Sequence, residues 1–255
     1  MITSIGIDLA WSTRNPTGGA VIRGDAAGGA FGDASVLGSD AEILAYIDTH
    51  AGAGPCIVGV DAPLWVPNET GRRPGEAAIG AAFARFQAGA HPANRQRLAQ
   101  AGVVRGEALV AALAERGFVH APEIAAGVAT RQVIEVFPHP AMIAIFALER
   151  TLKYKVKPKR TREFLDSEFV RYQQHMLALR DGDPPLGGHE AFVGQDVAGL
   201  RGRARKNYED QIDALMCAYI CLYGFRWGAA RCRMFGTMAG GYIYTPVPEA
   251  MRGEF

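Results

Sequence analysis

Residues 55–61 read PCIVGVD, an almost unbroken run of apolar residues that ends in an aspartate. A strand of this kind has apolar side chains on both faces, so both faces must be covered by other elements. The chain has 255 residues, of which 49% are hydrophobic, and this is enough to bury such a strand in one large core. We therefore expect one α/β domain over residues 1–255.

Further strands are predicted around this run. Residues 2–11 alternate apolar with small or polar side chains, which is typical of a half-buried strand. The other predicted strands lie at residues 19–24, 30–37, 130–137 and, near the end of the chain, 241–246. Helices are predicted at residues 40–50, 162–179 and 208–223. We expect Gly224 to end the last of these helices, because glycine often follows a helix C-terminus.

Two segments differ in composition from the rest of the chain. Residues 62–122 are rich in Ala, Gly, Arg and Pro and carry helical patterns, which predicts a helical insertion. Residues 150–206 form a second predicted helical insertion that is basic, with seven Lys or Arg among residues 150–162. All five lysines lie between Lys153 and Lys206, where we expect phosphate groups to bind. A charged insertion that only keeps the chain soluble is the alternative.

Composition excludes several classes of protein. The net charge of +1 argues against a strongly basic nucleic-acid binder, although the first 148 residues carry a net −3 and the remainder a net +4. The four cysteines form no C-x-x-C pair, so neither a zinc site nor a disulfide framework is predicted. No apolar run is long enough to span a membrane, and the N-terminus lacks the basic region of a signal peptide. We expect a cytoplasmic protein.

Three acidic residues occur in sequence that reads as buried strand. Asp8 lies within the first strand on a face of small side chains, Asp61 ends the apolar run, and Glu135 interrupts VIEVF. Carboxylates are almost never fully buried without a partner, because desolvation costs several kcal/mol. Each of these acids therefore needs a hydrogen bond, a cation or a metal.

A fourth and a fifth acid lie one helical turn apart in NYEDQIDAL. Asp210 follows a predicted cap at Asn207, where an acid complements the helix dipole. Asp213 instead continues the apolar stripe of the helix and should point toward the sheet. If that sheet carries Asp8 and Asp61, several carboxylates converge, and oxygen ligands of this kind suit Mg²⁺ or Mn²⁺.

Four motifs of the sequence match those of a known protein family: GIDLAW with NPTGG, VGVDAPL, IEVFPHPAM and DQIDAL. Together they resemble the domain-of-unknown-function family 429, whose members are predicted RNase H-like nucleases. The order of a three-strand meander, a helix, two strands and a final helix is also similar to the RNase H fold. The resemblance implies an RNase H-like α/β fold with a five-stranded mixed sheet, flanking helices and a helical insertion.

The resemblance further implies a nuclease that hydrolyses phosphodiester bonds with two Mg²⁺ or Mn²⁺ ions and has nucleic acid as its partner. The implied metal ligands are Asp8, Asp61, Asp210 and Asp213. Glu135 is an additional candidate catalytic residue, and it could be a ligand, a partner of a ligand or a partner of the basic segment. The implied substrate-binding residues are Lys153, Lys155, Lys157, Arg205, Lys206 and His139. His139 is either a proton shuttle or an ordinary loop histidine.

Two rival functions stay open. Asp8 to Asn15 and Asp61 to Asn68 share a spacing and a following glycine turn, a feature of the phosphate-binding hairpins of kinase and actin-like proteins on the same fold. That reading predicts a nucleotide- or phosphate-binding protein, although such proteins clasp the nucleotide between two domains. The other alternative is an inactive binding module, because a fold does not determine an activity.

Overall fold

The computed structural model of the protein describes residues 1–253. Its strands are β1 (Ile2–Asp8), β2 (Thr17–Asp25), β3 (Gly28–Leu37), β4 (Cys56–Val60), β5 (Val119–His120), β6 (Arg131–Glu135), β7 (Leu186–Gly187), β8 (Cys232–Thr237) and β9 (Gly241–Pro246). Its α-helices are α1 (Asp40–Ala51), α2 (Pro74–Ala82), α3 (Arg95–Leu98), α4 (Arg105–Ala114), α5 (Pro138–Ile145), α6 (Arg162–Leu177), α7 (Glu190–Val193) and α8 (Gly202–Trp227).

Seven of the strands form one mixed sheet in the order β5-β6-β4-β1-β2-β3-β7. The meander β1-β2-β3 is antiparallel, whereas β4 is parallel to both β1 and β6. Strands β8 and β9 form a separate antiparallel hairpin. The chain is therefore an α/β protein with β1 at the centre of its sheet.

The prediction of five strands in the main sheet was wrong, because the sheet has seven. The five predicted strands correspond to β1, β2, β3, β4 and β6. The two additional ones, β5 and β7, contain two residues each and lie at opposite edges of the sheet. Strands this short carry no alternation of apolar and polar residues, so they are visible only through their pairing with a longer neighbour.

Helices cover both faces of the sheet. One face packs against α8 and the other against α1 and α4, each with its own cluster of buried apolar side chains. Helix α1 begins where it was predicted, because the Ser39 hydroxyl accepts a hydrogen bond of 3.2 Å from the backbone N–H of Glu42. The five residues of β4 are all buried, as the apolar run predicts.

Two glycines bring the backbone of α8 directly onto the sheet. A Cβ atom built on Gly6 of β1 would lie 1.9 Å from the carbonyl oxygen of Ala214, and one on Gly18 of β2 would lie 2.0 Å from that of Asp210. No side chain fits into either space. The distance between α8 and the strands is therefore set by backbone contact.

Helix α8 is longer than predicted at both ends. It starts at Gly202, so Asp210 lies beyond the first turn and a helix-dipole contact does not explain its position. It also continues through Gly224 to Trp227 and is capped by Gly228, which has a φ of 45°. Gly224 instead makes room for a neighbour, since a Cβ there would lie 2.8 Å from the Tyr244 hydroxyl.

The two predicted insertions contain several of the remaining elements. Residues 62–122 include α2, α3, α4 and β5, and residues 150–206 include α6, β7, α7 and the start of α8. Within residues 1–253, no helix has both the length and the apolar character needed to cross a bilayer.

Candidate active site

Three parallel strands end side by side at one edge of the sheet. The backbone N–H of Asp61 donates to the Ile7 carbonyl over 2.9 Å, which places Asp61 beside the end of β1. Gly6 and Gly59, two residues before Asp8 and Asp61, both face α8. Because side chains two apart in a strand share a face, Asp8 and Asp61 both project on the α8 side of the sheet.

Asp213 of α8 is fully buried and contacts two residues of the basic segment. The Tyr154 hydroxyl donates a hydrogen bond of 2.6 Å to Oδ1 of Asp213, and the Lys155 ammonium lies 2.8 Å from Oδ2. One helical turn earlier, Asp210 is paired with the Lys206 ammonium. Lysines therefore balance the charges of both helix aspartates.

The carboxylates perturb one another. Burial raises the pKa of Asp8 well above its usual value; the charge of Lys155 opposes this shift, and those of Asp213 and Asp61 add to it. Burial likewise raises the pKa of Asp61 to about 7, again against the effect of Lys155. For Lys155, burial lowers the pKa, but the charges of Asp213, Asp8 and Asp61 outweigh it and raise the pKa. Lys155 thus stays protonated and supplies positive charge to the cluster.

The raised pKa of Asp61 predicts a specific dependence of stability on pH. The usual pKa of 3.8 applies to the unfolded chain and about 7 to the folded one, so the folded state binds more protons between these values. The free energy of unfolding should therefore fall as pH rises from about 4 to 7. The ionised Asp61 side chain thus destabilises the fold at pH 8. Asp61→Asn should raise the free energy of unfolding there by about 2 kcal/mol and Tm by about 4–8 °C, with little effect at pH 4.

Calorimetry in EDTA-containing buffer at both pH values measures this difference. The matched control is Asp181→Asn, whose side chain is 79% exposed and should leave Tm unchanged. A lower Tm for Asp61→Asn at pH 8 would contradict the prediction, because it would mean that the ionised carboxylate stabilises the fold.

Glu135 at the end of β6 belongs to a different contact. Its side chain is bonded to the Arg73 guanidinium, with Oε1 to Nη2 at 2.5 Å and Oε2 to Nη1 at 2.9 Å, and Oε2 also accepts from the backbone N–H of Leu64. Arg73 in turn binds Glu76. Burial raises the pKa of Glu135 to about 7, although Arg73 opposes the shift. Glu135 therefore does not pair with the basic segment of residues 150–162. Its partner, Arg73, comes from residues 62–122 instead.

A cleft of about 500 Å³ opens over these strand ends and is bordered by both insertions. The predicted site residues that line it are Asp8, Asp61, Glu135, His139, Lys153, Lys155 and Lys157. Burial lowers the pKa of His139 to about 4, so its ring is neutral at pH 7, and its Nδ1 lies 3.2 Å from the Thr151 hydroxyl.

Two predicted substrate-binding residues make internal contacts instead. The guanidinium of Arg205 pairs with Asp166 and is 6% exposed, and Lys206 pairs with Asp210 and Glu209. Neither lines the cleft. Both are in the first turns of α8, where the helix orients them toward neighbouring acids.

A protein-family model described as "Protein of unknown function (DUF429)" matches residues 6–234. The chain belongs to this family. The matched region spans all five acids, from Asp8 to Asp213, together with the basic segment that supplies Tyr154 and Lys155. No curated protein and no solved structure matches the chain.

The structure of this DUF429 member adds site residues that sequence reasoning missed. Tyr154 is fully buried, and its hydroxyl donates to Asp213, a contact over 59 positions that no sequence pattern indicates. Arg73 was not singled out, although a buried Glu135 requires a cation and Arg73 precedes a capping glutamate by three residues. Trp11 and the loop at residues 87–91 also line the cleft, and no sequence pattern marked them.

The donor set of this DUF429 site fits a divalent cation in part. Asp8 and Asp61 are half-buried, border the cleft and offer the hard oxygen ligands that Mg²⁺ and Mn²⁺ prefer. Asp213 and Asp210 are already paired with lysines. Among residues 1–253, no three acidic, histidine or cysteine side chains form a group that could hold a metal ion. Asp8 and Asp61 are therefore the residues that would hold an ion, and Asp213 would join them only without its contact to Lys155.

Proposed function

We propose that this protein is a divalent-cation-dependent hydrolase of phosphodiester bonds in nucleic acid, built on an RNase H-like fold. One observation carries the proposal: Asp8 and Asp61 end adjacent parallel strands, lie on the face that holds Asp213, and border a cleft lined by lysines. Clefts at the carboxyl ends of parallel strands are common ligand sites in α/β proteins.

The order of elements supports the RNase H-like part of the proposal. An antiparallel meander is followed by α1 and by two strands parallel to β1, and α8 returns across the meander to carry two acids to the strand ends. This is the arrangement that the resemblance of the motifs implies. The insertion of residues 62–122 between β4 and β6 leaves it intact.

The residues of the cleft divide the chemistry among them. Asp8 and Asp61 would hold the cation, which would supply polarisation of the phosphodiester and activation of the attacking water. Lys153 and Lys157 bind phosphate oxygens by charge. The neutral His139 accepts or carries a proton beside them. Lys155 remains charged and keeps the buried Asp213 compensated.

Isothermal titration with Mn²⁺ tests the cation site. We expect the wild-type protein to bind Mn²⁺ and Asp8→Asn to bind it at least tenfold more weakly, because half of the carboxylate pair is lost. Lys155→Met should tighten binding by about tenfold, since it removes a competing cation and frees Asp213.

Asp181→Asn, an exposed acid outside the cleft, is the control and should bind as the wild type does. Circular dichroism checks that each variant folds, which matters most for Lys155→Met because Asp213 is buried. Equal Mn²⁺ affinity for the wild type and Asp8→Asn would refute the assignment, as would no binding by any of them.

A second candidate is nucleotide binding without hydrolysis. The contact between Lys155 and Asp213 favours it, because it gives the buried aspartate a partner that requires no metal. In that case neither the wild type nor Lys155→Met should bind Mn²⁺ in the same titration.

A further inference from the structure

The size of the cleft limits what reaches the acids. About 500 Å³ lies within the range of small-ligand pockets, which is roughly 300–1,000 Å³. Proteins that recognise duplexes use extended surfaces instead, and bury about 1,000–2,500 Å² of them. Enzymes that act inside pockets of this size therefore take unpaired nucleotides or extrude one from the duplex.

The positive charges in the cleft also favour an unpaired nucleotide over a duplex. Lys155 is paired with Asp213, and Arg160 donates to the backbone carbonyl oxygens of Lys153 and Lys155, at 3.1 and 2.9 Å. Within the described residues 1–253, the ammonium groups of Lys153 and Lys157 form no ion pair. Arg160 keeps its positive charge, but its Nη1 is held by these carbonyls. The two ammonium groups that remain free suit one or two phosphates, not the long run of phosphates along a duplex.

Trp11 supplies a flat apolar surface at the same site. Its side chain is 43% exposed, lines the cleft and follows Asp8 by three residues. Exposed aromatic rings beside a basic groove are the usual platforms for unpaired bases. Trp65 is exposed to a similar degree, 44%, but does not line the cleft, so it provides a matched control for Trp11.

We propose that the cleft binds one unpaired nucleotide, with its base stacked on Trp11 and its phosphates on Lys153 and Lys157, so that the substrate is single-stranded nucleic acid. That the bound strand is hydrolysed rests on the proposed function, whereas the binding of a single strand does not. It assigns Trp11 as a substrate-contacting residue.

Binding is measured by fluorescence anisotropy with fluorescein-labelled d(T)5, r(U)5 and a 20-base-pair hairpin duplex. The protein carries Asp61→Asn and the buffer contains Mg²⁺, so that the probes are not cleaved. We expect the duplex to bind at least tenfold more weakly than the better of the two pentamers. Adding Trp11→Ala should weaken pentamer binding by about 5- to 100-fold, and adding Trp65→Ala by less than twofold. The slope of log affinity against log salt should be about −1.4 for two phosphate contacts.

The DNA and RNA arms decide which sugar the cleft accepts. Equal binding of pentamer and duplex would overturn the inference, as would equal effects of the two tryptophan substitutions or no binding of either pentamer. Hydrolysis of bis(p-nitrophenyl) phosphate by the wild type with Mn²⁺ tests the reaction separately. If hydrolysis is absent but the pentamers bind through Trp11, the proposed function fails while the ligand assignment stands.

Discussion

Asp8→Asn should reduce Mn²⁺-dependent hydrolysis of bis(p-nitrophenyl) phosphate at least 1,000-fold in kcat, a loss of about 4 kcal/mol of transition-state stabilisation. The reason is position: β1 is the central strand, and Asp8 ends it between the carboxylates of β4 and α8. Asparagine has nearly the same shape as aspartate but lacks the charge that holds a cation.

A loss of folding would produce the same loss of rate, so stability is measured in parallel. Because burial raises the pKa of Asp8, the asparagine variant should be at least as stable as the wild type at pH 8. Asp181→Asn should retain full activity. An Asp8→Asn protein that folds and keeps more than a tenth of the activity would exclude Asp8 from catalysis.

Arg73→Met should lower the free energy of unfolding by about 3–5 kcal/mol, because it leaves two buried carboxylates without their cation. Side chains of Arg73, Glu76 and Glu135 are 1%, 2% and 4% exposed, so water does not replace the lost contacts. The corresponding fall in Tm is about 6–20 °C. Thermal unfolding followed by circular dichroism measures it.

The matched control is Arg116→Met. Arg116 and its partner Asp48 are 31% and 47% exposed, and removing a pair of this kind should cost less than about 1 kcal/mol. The deficit of Arg73→Met should also shrink near pH 4, where Glu135 is protonated and needs no cation. Equal losses for the two arginine variants would show that burial of the Arg73 cluster does not determine its contribution.

The central strands of the fold could be predicted because their patterns are local. The continuous apolar run of β4 predicts its burial on both faces. Strand β1 alternates in sequence, yet it too is covered on both faces, because Gly6 on its small-residue face packs against α8. The hairpin of β8 and β9 was only half predicted, since β8 reads CRMFGT, with an arginine and a glycine that interrupt any alternation. Its strand character depends on pairing with β9.

The same distinction between local and tertiary signals applies to the candidate site. An acid at the end of a buried strand is visible in sequence, and so is an acid on the apolar stripe of a helix, which is why Asp8, Asp61 and Asp213 were selected. The contact between Lys155 and Asp213 joins residues 58 positions apart. Lys155 lies in a segment without regular structure, so no periodicity indicated which of several lysines would reach the aspartate.

The two glycines under α8 have a consequence for how the cleft opens. The backbone of α8 contacts the backbones of β1 and β2 at Gly6 and Gly18, so the helix and the strands that carry the acids cannot shift relative to one another. The borders at residues 87–94 and 151–160 have no regular secondary structure and are tied together by a bond from the Thr151 N–H to the Phe86 carbonyl. A displacement of one border would therefore carry the other with it, while the carboxylates on the sheet and α8 stay in place.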